Sequence, residues 1–158
     1  MKTLTKIFRY LLAICMILMV VVTTYQVIMR YCFNNSPSWT EEFVRFIFVW
    51  VSFIAAALGI QEKIHIGIDA VVMHLPKKIQ RYIQIFVLVL LGSFGIYTGY
   101  TAIPVMKITK TQLSPAMRVP MNYIYLAMLV FGILSVLYAS VEIAKTARLI
   151  KSENRGVE

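Results

Sequence analysis

Residues 82–106 read YIQIFVLVLLGSFGIYTGYTAIPVM, a run without a single Asp, Glu, Lys or Arg. At about 1.5 Å rise per residue, such a run exceeds the roughly 30 Å of hydrocarbon in a bilayer. Working outward, residues 10–29 and 119–141 are equally free of charge and also long enough to cross. Residues 46–61 are short. They reach spanning length only by taking in Phe43 to Arg45, with the guanidinium near the interface. The pattern predicts an all-α integral membrane protein of one domain with four transmembrane helices, at about 8–29, 40–61, 80–104 and 120–143. A tail follows over 144–158. Hydrophobic residues make up 59% of the 158 positions and charged ones 15%, against about a quarter charged in soluble domains. A soluble helical bundle does not need charge-free windows of this length. The first run is also too long for the roughly 7–15 residue core of a cleavable signal peptide, and no small-x-small site follows it. It is expected to stay as a helix.

The net charge of +9 is sorted by side, which argues against nucleic acid as its cause. With the N-terminus cytoplasmic, the inner segments hold Lys2, Lys6, Arg9, Lys63, Lys77, Lys78, Arg81, Lys145, Arg148, Lys151 and Arg155. The outer ones hold only Arg30, Arg45, Lys107, Lys110 and Arg118. An excess of Lys and Arg on one side is the positive-inside signal, so both termini are predicted cytoplasmic. The basic tail is either solvated or set against anionic lipid head groups. Cys15 and Cys32 lie about 25 Å apart along a continuous helix, too far for a bridge, and their spacing suits no metal.

The polar residues that an apolar chain could have done without gather between Arg30 and Asp69. The outer loop, Tyr31 to Ser38, contains Asn34-Asn35-Ser36-Pro37, a cluster of turn formers. Either Ser36 caps the second helix with Pro37 in its first position, or Ser38 caps it with Glu41 three residues on. Glu41 and Glu42 then fall in the first turn, favoured by the helix dipole. Both can pair with Arg45, at i,i+4 and i,i+3. Trp39 suits an interfacial aromatic belt, and the deeper Trp50 is expected against another helix or subunit. Gln61 to Arg81 is too polar to span. Ile64, Ile68, Val71, Val72 and Leu75 recur there at helical spacing, with His65 and Asp69 one turn apart on another face. An amphipathic helix over about 64–75 on the cytoplasmic surface fits, closed by Pro76.

In the second half, Gly95-Ile-Tyr-Thr-Gly99 matches GxxxG, which lets a neighbouring backbone come close. The loop from Pro104 to Pro120 is basic and expected to be ordered only by contact. Glu142 can pair with Lys145 and snorkel to the inner surface.

Chemistry is scarce. Ionisable groups inside a membrane mark ion or substrate paths, and the centres of all four spans lack them. No pair of Gly/Pro-broken helices exposes backbone to a coupling ion. His65 and His74 stand nine residues apart in one interfacial segment and cannot clasp a haem between helices. His65 with Asp69 lacks a third metal ligand and reads as a structural pair. No phosphate loop, nucleophile elbow or zinc-protease signature appears. Neither an enzyme nor a cofactor-bearing subunit is expected.

Taken in order, Arg30, Pro37-x-Trp39-x-Glu41-Glu42-x-x-Arg45, Trp50, His65-Ile-Gly-Ile-Asp69 and Leu75-Pro76 resemble the small, Q-type membrane subunit of tripartite ATP-independent periplasmic (TRAP) transporters. The likeness covers nearly the whole chain in length and helix count, and its motifs lie in residues 30–76. It implies a four-helix subunit of the bacterial inner membrane that pairs with a large multi-helix membrane subunit. That partner would hold the sodium and substrate sites, and a soluble periplasmic protein would deliver a small organic acid such as a C4-dicarboxylate or sialic acid. This chain would be the scaffold. Arg30, Pro37, Trp39, Glu41, Glu42, Arg45, Trp50, His65 and Asp69 are its candidate structural or partner-facing residues, with Arg30, Glu41, Glu42 and Arg45 forming a charge cluster that fixes the first hairpin. Two alternatives remain. A self-contained small four-helix exporter would need a carboxylate in the first span, which has none. A structural or anchor subunit of another membrane complex is the second.

Overall fold

The computed structural model describes residues 2–35, 37–62 and 76–155. Four helices hold nearly all of them: α1 (Lys2–Cys32), α2 (Ser38–Glu62), α3 (Lys77–Thr109) and α4 (Asn122–Arg155). All four are long and apolar enough to cross a membrane. Among the described residues the sole β feature is an isolated Leu113–Pro120 bridge. The chain is thus an all-α, four-span membrane protein. The expected interfacial helix over 64–75, with His65 and Asp69, lies outside the described residues.

Two helices outrun the expected spans. α3 does not stop at Pro104 but continues to Thr109 with the proline inside it. Proline is tolerated in membrane helices where neighbouring side chains make good the disturbed bonding. The carbonyl that Pro104 deprives of its helical donor is that of Tyr100; the neighbouring Thr101 hydroxyl is shared between the carbonyls of Tyr97 and Thr98, both at 3.0 Å. α4 carries on to Arg155, so the helix runs on into the segment expected as the tail.

α1 and α2 form an antiparallel hairpin pinned at both ends. At one end the Thr5 hydroxyl donates to the Gln61 side-chain carbonyl at 2.5 Å. At the other the Gln26 amide donates to Glu41 at 2.9 Å, with Trp39 in ring contact with Tyr25, tilted at 6.5 Å, and with Phe43, edge-on at 6.3 Å. Burial of water-exposed apolar surface cannot hold such helices together in lipid, so polar pins and close packing must.

α4 is the centre of the bundle, packed against α3 on one side and α2 on the other. Ile54, Ala57, Leu58 and Ile60 of α2 meet Leu88 of α3 and Phe131, Leu134, Tyr138 and Ala139 of α4 in one buried cluster. Phe131 anchors it, in ring contact with Phe53 at 5.6 Å and Phe94 at 6.2 Å. The GxxxG glycines work within the chain. Gly95 and Gly99 receive Gly132 of α4 so closely that a Cβ at Gly132 would lie 2.8 Å from both the Gly95 carbonyl oxygen and the Gly99 Cα. α1 stands at the edge and reaches the bundle chiefly through α2.

Glu142 departs from expectation. It pairs with Lys145 as the spacing suggests, but its carboxylate is buried at 3% exposure rather than snorkelled to the surface. The lysine does the snorkelling, with its side chain 57% exposed, because its long apolar stem can reach out of the membrane while the short acid cannot.

Candidate functional site

The most elaborate polar construction in the described residues sits at the loop end of α2. Glu42 lies in its second turn and is 8% exposed. A carboxylate removed from water is costly unless donors surround it. Its Oε2 accepts three hydrogen bonds, all from the loop between α3 and α4. The Ser114 hydroxyl donates at 3.0 Å, the Ala116 amide at 3.1 Å and the Met117 amide at 2.6 Å. Successive backbone N–H groups turned toward one anion form a nest. Bonds to an ionised acceptor are roughly twice as strong as neutral ones.

The loop is built to present those donors. The Ser114 amide donates to the Val119 carbonyl at 2.9 Å, and Met121 to Gln112 at 2.9 Å, closing a short hairpin. Within it the Arg118 amide donates to the Ser114 carbonyl at 3.1 Å. Arg118 takes a left-handed backbone (φ 52°) to complete the turn. Ser114 Oγ has a second task, accepting the Val119 amide at 3.2 Å. So residues 110–121 are ordered by their own bonding and by Glu42, and not by outside contact alone as the sequence suggested.

The expected charge cluster is rearranged. Glu41 turns to Gln26 and Glu42 to the loop. Among the described residues neither forms an ion pair with Arg30 or Arg45. An exposed i,i+4 pair is worth about 0.3–0.5 kcal/mol, too little to hold Glu42 away from three converging donors. Arg30 is exposed in the last turn of α1, where its charge complements the helix dipole. Arg45 is exposed on α2. The structure therefore predicts that Arg45→Ala leaves the thermal midpoint of the purified chain within about 1 °C, in line with exposed single charges. Thermal denaturation of the two proteins side by side checks this.

The other named residues have local tasks. The described helix begins at Ser38. The Pro37 carbonyl accepts both the amide and the hydroxyl of Thr40, at 3.2 and 2.6 Å, so the turn is closed from within the helix. The Ser36 alternative lies outside the described residues. Trp50 packs against the buried cluster and, with Phe43, Ile47 and Val51, lines an apolar groove of about 410 Å³ between α1, α2 and the loop joining α3 to α4. That groove has no polar lining and could not hold a carboxylate or a bare cation. Among the described residues no group of His, Cys, Asp and Glu is placed to bind a metal. Sequence reading missed Ser114 and the 115–117 turn. Their signal was a Ser-Pro followed closely by a second proline, which marks a turn but not what the turn holds.

By class the chain is a four-span helical membrane protein whose best-built polar site, among the described residues, is an internal clamp. Comparison with known proteins then gives the family. Residues 19–149 match the profile of the DctQ component of tripartite ATP-independent periplasmic transporters, and the chain belongs to that family. It is 26% identical over 132 residues to a candidate TRAP transporter small permease of Haemophilus influenzae, covering 84% of this chain and 80% of that one. It is 29% identical over 130 residues to the isethionate TRAP transporter permease DctMQ of Oleidesulfovibrio alaskensis, covering 77% of this chain but only 20% of the relative. With the C4-dicarboxylate small permease DctQ of Vibrio cholerae it shares 33% over 73 residues, 46% of this chain and 32% of the other. It is a small permease component of a TRAP transporter.

Proposed function

We propose that this chain is the scaffold of a sodium-coupled, binding-protein-dependent uptake system for a small organic acid. It sits in the bacterial inner membrane with both termini cytoplasmic, as the eleven-to-five division of basic residues favours. Its partners are a large multi-helix membrane subunit, which holds the sodium and substrate ligands, and a periplasmic protein that delivers the substrate. One observation carries the reading. Among the described residues the polar contacts between elements, Thr5 with Gln61, Gln26 with Glu41 and Glu42 with the 114–117 turn, tie this chain to itself, and the groove beside Trp50 offers cargo no polar group. The relatives' names point the same way, since they cite isethionate, C4-dicarboxylates and sialic acid across chains that share this small component. A component common to systems for different anions is not where the anions are told apart.

The test is reconstitution. With the binding protein present, the large subunit alone should give no sodium-driven uptake above background, and adding this chain should restore it. Full uptake by the large subunit without it would overturn the scaffold role.

A further inference from the structure

The outward side of α3 carries an aromatic stripe. Tyr82, Phe86, Tyr97 and Tyr100 are all strongly exposed, Tyr97 at 67% and Tyr100 at 74%. Their spacing keeps them on one side of the helix, while Gly95, Thr98 and Ala102 are buried on the other. The charge-free part of α3 is bounded by Arg81 and Lys107, which puts its midpoint at Phe94. Tyr97 then lies about 4.5 Å and Tyr100 about 9 Å from the middle of the span, inside a hydrocarbon half-thickness of about 15 Å. Helical side chains lean back toward the helix N-terminus. Both phenols are therefore carried toward the middle of the membrane and away from the nearer surface.

That placement is costly in lipid, which has nothing to accept a phenol proton. Other hydroxyls of α3 are satisfied within the helix: Ser93 donates to Leu90, Thr98 to Phe94 and Thr101 to Tyr97. Among the described residues the Tyr97 and Tyr100 phenols have no such bond. The exposed face of α1 differs. Ile14, Ile17 and Val21 line its middle, and its phenols stand toward the two ends, Tyr10 beside Arg9 and Tyr25 with its ring against Trp39; aliphatic side chains suit lipid tails. Beside the α3 stripe an apolar groove of about 360 Å³ follows the α3–α4 seam, wide enough to receive side chains from a neighbouring helix.

We infer that the α3 stripe is the docking face for a transmembrane helix of the large membrane subunit. That helix supplies hydrogen-bond acceptors to Tyr97 and Tyr100 at mid-membrane depth, and α1 faces lipid. This rests on the small-permease reading above. A larger heterologous partner is favoured over a second copy because the matching region of the DctMQ relative is a fifth of one continuous chain.

The experiment uses the intact transporter, with both membrane subunits co-expressed and a photoreactive benzoylphenylalanine in place of Tyr97 or of Ile14. Light should join this chain to the large subunit from position 97 and not from 14. An adduct from 14 with none from 97, or an adduct at 97 with twice this chain's mass, overturns the docking face while leaving the small-permease reading intact. If no large membrane protein co-purifies with the unsubstituted chain, both fail. A second readout tests the hydroxyls themselves. Each phenol removed should weaken the complex about threefold, the usual effect of one interhelical hydrogen bond in a membrane, so the Tyr97→Phe, Tyr100→Phe double variant loses about tenfold. Undiminished affinity in that variant would remove the hydrogen bonds from the proposal.

Discussion

Glu42→Ala is expected to destabilise the chain by about 3 kcal/mol, and to free the loop over residues 110–121. The three groups that now converge on Oε2, the Ser114 hydroxyl and the Ala116 and Met117 amides, would lose their common acceptor together. Stranding a buried donor costs about 1–3 kcal/mol, and the loop's partial access to water sets the total toward the lower end of a simple sum. Glu42→Gln can set its carbonyl oxygen where Oε2 now lies and keep the three donors partnered, but as a neutral acceptor whose bonds are roughly half as strong, so about half the loss should remain. Ser114→Ala removes one donor and the acceptor of the Val119 amide, for about 1 kcal/mol. Because Glu42 and Ser114 act as one network, the double variant should be less damaged than the sum of the singles, by about 0.5 kcal/mol. Thermal unfolding of the detergent-purified proteins measures the series. Limited proteolysis after Lys110 or Arg118 should find the loop in Glu42→Ala far sooner than in the native chain. Strict additivity would mean that the loop holds itself and Glu42 merely touches it.

The contrast with Arg45 shows what the sequence could and could not convey. Spacing on one helix is visible in a sequence, so Glu42 and Arg45 looked like partners at i,i+3. What decides the matter is the alternative open to Glu42, seventy-odd positions away, and no local pattern reports that. The spans themselves were legible because their cause is local: a charge-free run of sufficient length must cross the membrane wherever its neighbours lie. The ends were less so. α3 passes through Pro104 because a membrane helix has no water to accept a free carbonyl, which makes stopping there worse than continuing. Glu142 shows the same limit toward the far end of α4. Its pairing with Lys145 was readable from their spacing, whereas its burial depends on α4 being the central helix, a fact of packing order. Glu41 is intermediate: its place at the start of α2 was visible, but its bond to Gln26 exists only because the hairpin closes in that register.

Gly132→Val should be the most damaging single change in the second half of the chain, because the obstacle it meets is backbone. The added Cβ would lie 2.8 Å from the Gly95 carbonyl oxygen, 2.8 Å from the Gly99 Cα and 3.1 Å from the Gly99 nitrogen. No rotamer relieves contacts with main-chain atoms of a rigid helix, so α3 and α4 must separate. The separation would also loosen Phe131, which lies one residue away and in contact with Phe94. Overpacking costs about 1–3 kcal/mol where side chains can yield, and the upper end or beyond is expected here. Gly95→Ala meets the Ser135 Oγ at 1.8 Å and its Cβ at 2.9 Å. Ser135 is fully buried and its hydroxyl donates to the Gly132 carbonyl, so it has little room to turn and this variant too should be clearly destabilised. Gly92→Ala, whose Cβ would make an ordinary 3.4 Å contact with Ala139, should be near neutral. Gly59→Ala meets nothing within 4 Å and replaces glycine inside a helix, so it should gain up to about 1 kcal/mol. The order of thermal midpoints therefore runs Gly59→Ala, native, Gly92→Ala, Gly95→Ala, Gly132→Val. A GxxxG pair serving contact between two copies of the chain would give another pattern: Gly132→Val would leave the single chain folded and change only its association. Measuring unfolding and mass in the same detergent separates the two. Loss of the fold in Gly132→Val, at unchanged stoichiometry of the native protein, places the close approach between α3 and α4 of one molecule.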